Sequence, residues 1–172
     1  MAGSIFEYAS FFLAVIFFFL HVGDIATDII VCVTYYNGGL TNFFYATLAF
    51  ILIPFVYIVY YCPHEVGGLD GMSCSGVYSA TLSSYLLGPL FPYVAKSSMS
   101  QENVRKVAGF AIFGSGYMED IPQVIIACAF LFSGASGEKN SNQEHLFALI
   151  QLGFSAICGI YKMVSGAGKV GT

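Results

Sequence analysis

Charge is what this chain has least of. Of its 172 residues, 9% are Asp, Glu, Lys or Arg and 57% are hydrophobic, and the mean hydropathy is +0.75. Soluble domains run near a quarter charged, so this is the composition of a chain that lives in a bilayer. Basic residues are scarcest: six Lys and Arg against ten Asp and Glu, for a net charge of −4. Such a chain has no basic surface to offer nucleic acid. It also shows no internal repeat, no low-complexity tract, no nucleophile–base pair and no phosphate-cradling loop, so an enzyme acting on a soluble substrate is not expected. Met1–Ser10 lacks a basic stretch and carries Glu7, and the apolar run behind it is too long for a signal-peptide core, so no cleavable targeting segment is expected. Cysteine is sparse and odd in number, five in all. Cys32, Cys128 and Cys158 fall in apolar runs and read as small hydrophobes. Cys62 and Cys74 share a loop and could pair in an oxidising compartment.

Long apolar runs are plentiful. The first, Ile5–Tyr36, is interrupted only by Glu7, His21, Asp24 and Asp28. It exceeds the roughly 20 residues that cross a bilayer, so it should tilt or protrude. Asn37-Gly38-Gly39 predicts a helix C-cap and turn. A second run, Thr41–Tyr61, contains Pro54, a predicted kink. A polar loop, Cys62–Ser75, separates it from Val77–Val94. That third run is broken by Gly88-Pro89 and Pro92, and reads as a marginal crossing or a re-entrant hairpin shielded by its neighbours. Ser100-Gln101-Glu102 marks a helix start. The fourth run, Val104–Phe132, carries Glu119-Asp120 and Pro122 at its middle. Ser133–Glu144 then leads into the last, His145–Val164. The expectation is an all-α, polytopic membrane helix bundle of four transmembrane helices plus a short broken or re-entrant third segment, with five spans as the alternative. Residues 1–164 form one domain and residues 165–172 a flexible, glycine-rich tail. With either topology Lys96, Arg105, Lys106, Lys162 and Lys169 share a side against Lys139. The positive-inside rule therefore places the C-terminus in the cytosol and leaves the N-terminus open.

The acids carry the argument. His21, Asp24 and Asp28 fall at i, i+3 and i+7, one stripe of a helix. Each Asp near a span centre costs about 2.5–3.5 kcal/mol. Thr27 sits beside the stripe, near enough to help satisfy its polar neighbours. Glu119 and Asp120 add two more acids within an apolar run, and no Lys or Arg is read in any span interior. The membrane interior thus holds carboxyls without a countercharge of their own. Four resolutions are open: neutral carboxyls, a hydrated groove, a bound cation (a metal or a lipid ammonium), or basic residues of another subunit. The plainer alternative is that the acids cap broken helices at Gly23 and Pro122. No metal is expected. His21-x2-Asp24-x3-Asp28 leaves a fourth ligand unfixed, and Cys62-Pro63-His64-Glu65 with Cys74 is a poor zinc set. Gly109, Gly114-Ser115-Gly116, Gly153, Ser155 and Gly159 would allow helices to pack closely.

Two stretches resemble a known family. Asp24-Ile25-Ala26-Thr27-Asp28 with Tyr35-Tyr36-x-Gly38, and Glu119-Asp120-Ile121-Pro122-Gln123 with Tyr161 closing the next span, are similar to the XK-related family, several of whose members scramble phospholipids between leaflets. The likeness covers about Phe18–Tyr57 and Val107–Lys162, in the family's order. This chain looks like a shortened form, compressed between Cys62 and Lys106. The resemblance implies re-entrant half-helices and a buried polar path formed by Asp24, Asp28 and Glu119, with Pro122 and Gln123 breaking or satisfying the helix beside them. It offers no match for the family's intramembrane basic partners. Three functions compete. The first is a lipid-handling protein that uses an acidic groove of His21, Asp24, Thr27, Asp28, Glu119, Asp120 and Gln123, with bound phospholipids and no other cofactor. The second is a small accessory subunit of a larger membrane complex. The third is a proton or cation pathway.

Overall fold

A computed structural model of the chain describes residues 2–61, 73–135 and 141–170, and the elements of those residues are helical, with no strand among them. The Cys62–Cys74 pairing and the Cys62-Pro63-His64-Glu65 set lie outside the described residues. Helix α1 (Ala2–Asn37) runs for 36 residues, about 54 Å at 1.5 Å per residue. Helix α2 (Thr41–Val56) passes into a π-turn, Tyr57–Tyr61. Helix α3 (Cys74–Leu87), a 3₁₀ turn (Gly88–Leu90) and short α4 (Phe91–Ala95) form the third segment. Helix α5 (Gln101–Ser115) continues through a second π-turn (Gly116–Asp120) into α6 (Ile121–Ser133), and α7 (Ser141–Val170) closes the chain. Two stretches are long and apolar enough to cross a membrane, Glu7–Asn37 and Asn142–Ser165; α2 is apolar but shorter. Helix α7 runs through Val170, into the stretch read as a flexible tail.

The breaks fall where local chemistry puts them. Helix α1 ends in a Schellman turn: Gly39, at φ +74°, donates to Tyr36 O (3.2 Å), and Leu40 donates to Tyr35 O (2.9 Å). Ser100 caps α5, its hydroxyl accepting from the Asn103 N–H at 3.2 Å. Pro54 does not end α2; the wide π-turn follows it within three residues. Pro122 lies in the first turn of α6, directly after the second π-turn. It has no N–H for the carbonyl four residues back, and a π-turn is how a helix absorbs that misfit without ending.

The third segment folds back on itself. Its outer positions, Val77, Ala80, Phe91 and Ala95, join one apolar cluster with Val104, Val107, Ala108 and Ile112 of α5. Its tip instead reaches the centre of α1, where His21 meets Tyr85 and the ring lies against Gly88. Further out, Tyr93 donates to Ser10 Oγ (2.9 Å) and packs edge-on against Phe11. Gly88 makes the reversal possible: its φ of +47° suits glycine, and a Cβ there would stand 2.9 Å from the His21 ring. The third segment is thus two short helices bent at Gly88 and not one straight helix. At the other end of α1, Val31 and Tyr35 pack with Ile126 and Phe130 of α6 and Ala148 of α7.

Candidate functional site: a buried polar seam

Helices α1 and α7 lie antiparallel, and both carry their buried residues at heptad spacing. On α1 these include His21, Asp24, Asp28, Val31 and Tyr35; on α7, Glu144, Ala148, Gln151, Ser155, Cys158 and Lys162. Steps of three and four residues keep each stripe facing its partner along the whole contact. The register is set by stacked Phe17 and Tyr161 (3.8 Å between ring centres), Ser155 donating to Asp24 Oδ1 (2.8 Å), and Gln151 donating to Asp28 Oδ1 (2.7 Å). The π-turn between α5 and α6 presents Glu119 and Asp120 to the same seam.

At the seam's centre lies a cation. Lys162 Nζ donates to Asp120 Oδ1 at 2.8 Å and stands 3.8 Å from both Asp24 Oδ2 and Glu119 Oε2, with its side chain 5% exposed. This overturns the expectation that the membrane acids lack an internal countercharge. The sequence reading ended the last span at Val164, which left Lys162 at a water-facing edge. Helix α7 instead continues to Val170, so Lys162 is some eight residues, about 12 Å, inside the helix end. It belongs to the ion network, not to the flanking charges that set orientation.

Two glycines admit this lysine. A Cβ on Gly116 would lie 2.8 Å from Lys162 Cβ, and one on Gly159 would lie 3.0 Å from Asp120 Cβ. The π-turn and α7 therefore meet through reciprocal glycine notches, each seating the other's charged residue. Gly153, also expected to allow close packing, has nothing within 4 Å of such a Cβ.

His21 anchors the hairpin tip. Its Nε2 lies 2.8 Å from Tyr85 O, and because a carbonyl only accepts, Nε2 carries the proton. That carbonyl would ordinarily take the N–H four residues on, but position 89 is proline. The imidazole thus replaces a helix bond that the sequence itself removed. The Tyr85 hydroxyl donates to Glu119, 3.2 Å and 3.3 Å from its two oxygens. His21, Tyr85 and Glu119 so join α1, α3 and the π-turn in one chain.

The other end of the seam is neutral amide. Gln151 Nε2 reaches both Asp28 Oδ1 and Gln123 Oε1 (3.0 Å), and Gln123 Nε2 donates to Thr47 O of α2 at 3.3 Å. Gln123 therefore ties α6 to α2 and α7, where the sequence had suggested service beside Pro122. Thr27 is turned away from the carboxyls, its hydroxyl donating to the main-chain Asp24 O (2.9 Å). Each seam carboxyl meets a side chain of another helix, so these acids are not merely local caps: Asp24 meets Ser155, Asp28 Gln151, Glu119 Tyr85 and Asp120 Lys162. Lys162, Gln151, Ser155 and Tyr85 were missing from the sequence-derived set. The heptad spacing of Glu144, Gln151, Ser155 and Lys162 was the available signal, hidden because Glu144 sits in a polar loop end and the other three are lone polar residues in an apolar run.

Among the described residues no group of His, Cys, Asp and Glu has metal-holding geometry. The seam's chemistry is that of ion pairs and amides inside a helix bundle. Comparison with protein-family models, with curated proteins and with solved structures finds no match to this chain.

Proposed function

We propose that this chain is a multi-pass, XK-related-like membrane protein that handles phospholipid. In this reading α1, α2, the α5–α6 helix and α7 cross the bilayer, and the α3–α4 hairpin dips in and returns. Helix α3, at 14 residues, spans about 21 Å, short of a 30 Å hydrocarbon core, which supports that assignment. With Lys162 removed from the orientation tally, Lys96, Arg105, Lys106 and Lys169 still oppose Lys139 alone, and the C-terminus is assigned to the cytosol.

The observation that carries the lipid reading is a groove of about 520 Å³ along α6 and α7. Its walls are apolar, among them Ile121, Val124, Ile160 and Met163, while Asp120 and Ser155 of the seam also line it. An acyl chain suits such walls, and the polar seam behind them offers charged and amide groups to a headgroup. The seam is shut in this conformation. Headgroup passage therefore requires α6 and α7 to part, with the carboxyls and Lys162 meeting the lipid's charges as they separate. The accessory-subunit reading rested on the short chain, its small loops and acids without a countercharge, and Lys162 removes the last of these three supports.

The test is purified protein in vesicles carrying fluorescent lipid, with dithionite quenching the outer leaflet. Accelerated loss of the protected inner-leaflet signal is expected, and Ala156→Trp, which fills the groove, should slow it. Exchange no faster than in protein-free vesicles would rule the reading out.

A further inference from the structure

The neutral end of the seam leaves an imbalance that the lipid reading does not use. Asp28 and Gln151 are fully buried and bonded to each other through Gln151 Nε2, yet Asp28 Oδ2 and Gln151 Oε1 have no partner. Both of Gln151's amide hydrogens are engaged, one by Asp28 and one by Gln123. The pair therefore has two oxygen acceptors left over and no hydrogen to place between them. A bare buried acceptor costs about 1–3 kcal/mol, and an unpaired buried charge more. Among the described residues no cation stands within ion-pair distance of Asp28. The ion pairs of Lys162 are with Asp24, Glu119 and Asp120. The charges and titratable groups that act on Asp28 are Asp24 on its own helix, Glu119 of the π-turn and Lys162 of α7, while Cys32 of α1 feels Asp28 in turn. Helix α2 presents Thr47 and α6 presents Gln123, and neither of these titrates.

We infer that Asp28 is a proton-binding site: its carboxyl holds a resident proton on Oδ2 and donates it to Gln151 Oε1, closing a two-bond acid–amide ring. One hydrogen satisfies both orphan oxygens and removes the charge of a carboxyl that lies outside the ion pairs of Lys162. This inference is independent of lipid handling. It concerns what occupies the seam, not what crosses it.

Infrared spectroscopy of the full chain in nanodiscs tests it, comparing wild type with Asp28→Asn. The asparagine amide donates where the proposed proton does, so the variant should keep the fold and the wild-type melting temperature. The difference spectrum should lose one protonated-carboxyl carbonyl band and leave the carboxylate region unchanged. Loss of a carboxylate band would overturn the inference, as would failure of Asp28→Asn to fold. A melting temperature that rises with sodium over choline in wild type but not in the variant would also overturn it, by identifying a bound metal cation in the proton's place.

Discussion

Lys162 shows how far one residue can govern a helix bundle. Among the described residues it is the one ammonium within ion-pair distance of three buried carboxylates, and it reaches them from a helix that contributes no acid to the same contact. Removing one partner of a buried ion pair costs about 3–5 kcal/mol, because the charge left behind has neither water nor a counterion. Lys162→Met should therefore lower stability by about that much, read from denaturation in detergent micelles. Adding Asp120→Asn should recover part of the loss, since the double variant strands one charge fewer; losses that simply add would show the two side chains to be uncoupled. His21 makes a smaller contribution of a different kind. His21→Phe keeps the ring but leaves Tyr85 O without a donor, an expected cost of about 1–3 kcal/mol in the same assay. The acids were legible in the sequence because a carboxylate in an apolar run is conspicuous. Lys162 was not, because a lysine two residues from an assumed helix end reads as a flank. Only the true end of α7 reveals its depth.

At the scale of elements, the joints matter more than the rods. The second π-turn rotates Glu119 and Asp120 onto Lys162 and delivers the chain to Pro122 with a widened turn. The glycine notches then set how closely that turn and α7 approach. Gly116→Ala would place its methyl 2.8 Å from Lys162 Cβ, an atom bound to the backbone that cannot swing aside. The whole helix must shift, and with it the 2.8 Å bond to Asp120. The expected result is a clear drop in melting temperature. Gly153→Ala, facing open space, should cause none. Equal effects at the two sites would refute the notch argument. Much of this level was readable beforehand: the Asn37-Gly38-Gly39 stop, the Ser100 cap, and the breaks at Gly88-Pro89 and Pro122 are all local chemistry. The fold-back of α3 on α4 was left open, because a Gly-Pro break fixes where a helix stops and not the direction in which the chain leaves. That direction is set by contacts of Tyr85 and Tyr93 with His21, Ser10 and Phe11 of α1, which are distant in sequence.

Among the described residues α7 is the shared partner, packing against α1, α5 and α6, with its polar stripe facing inward. If four segments cross and the hairpin does not, an even number of crossings puts both termini on one side. The same count puts Lys96, Arg105 and Lys106 there as well. If the third segment crossed, the N-terminus would move to the opposite face while the C-terminus and that basic loop stayed together. Val77 and Ala95, at the two ends of the third segment, share one apolar cluster with Val104 to Ile112 of α5. Accessible-thiol labelling in sealed vesicles, using single cysteines introduced near each terminus and at Lys96 in an otherwise cysteine-free chain, separates the two cases. All three sites should label from the same face. An N-terminal cysteine labelled from the face opposite the other two would require five crossings, and the hairpin would then have to open on entering a membrane.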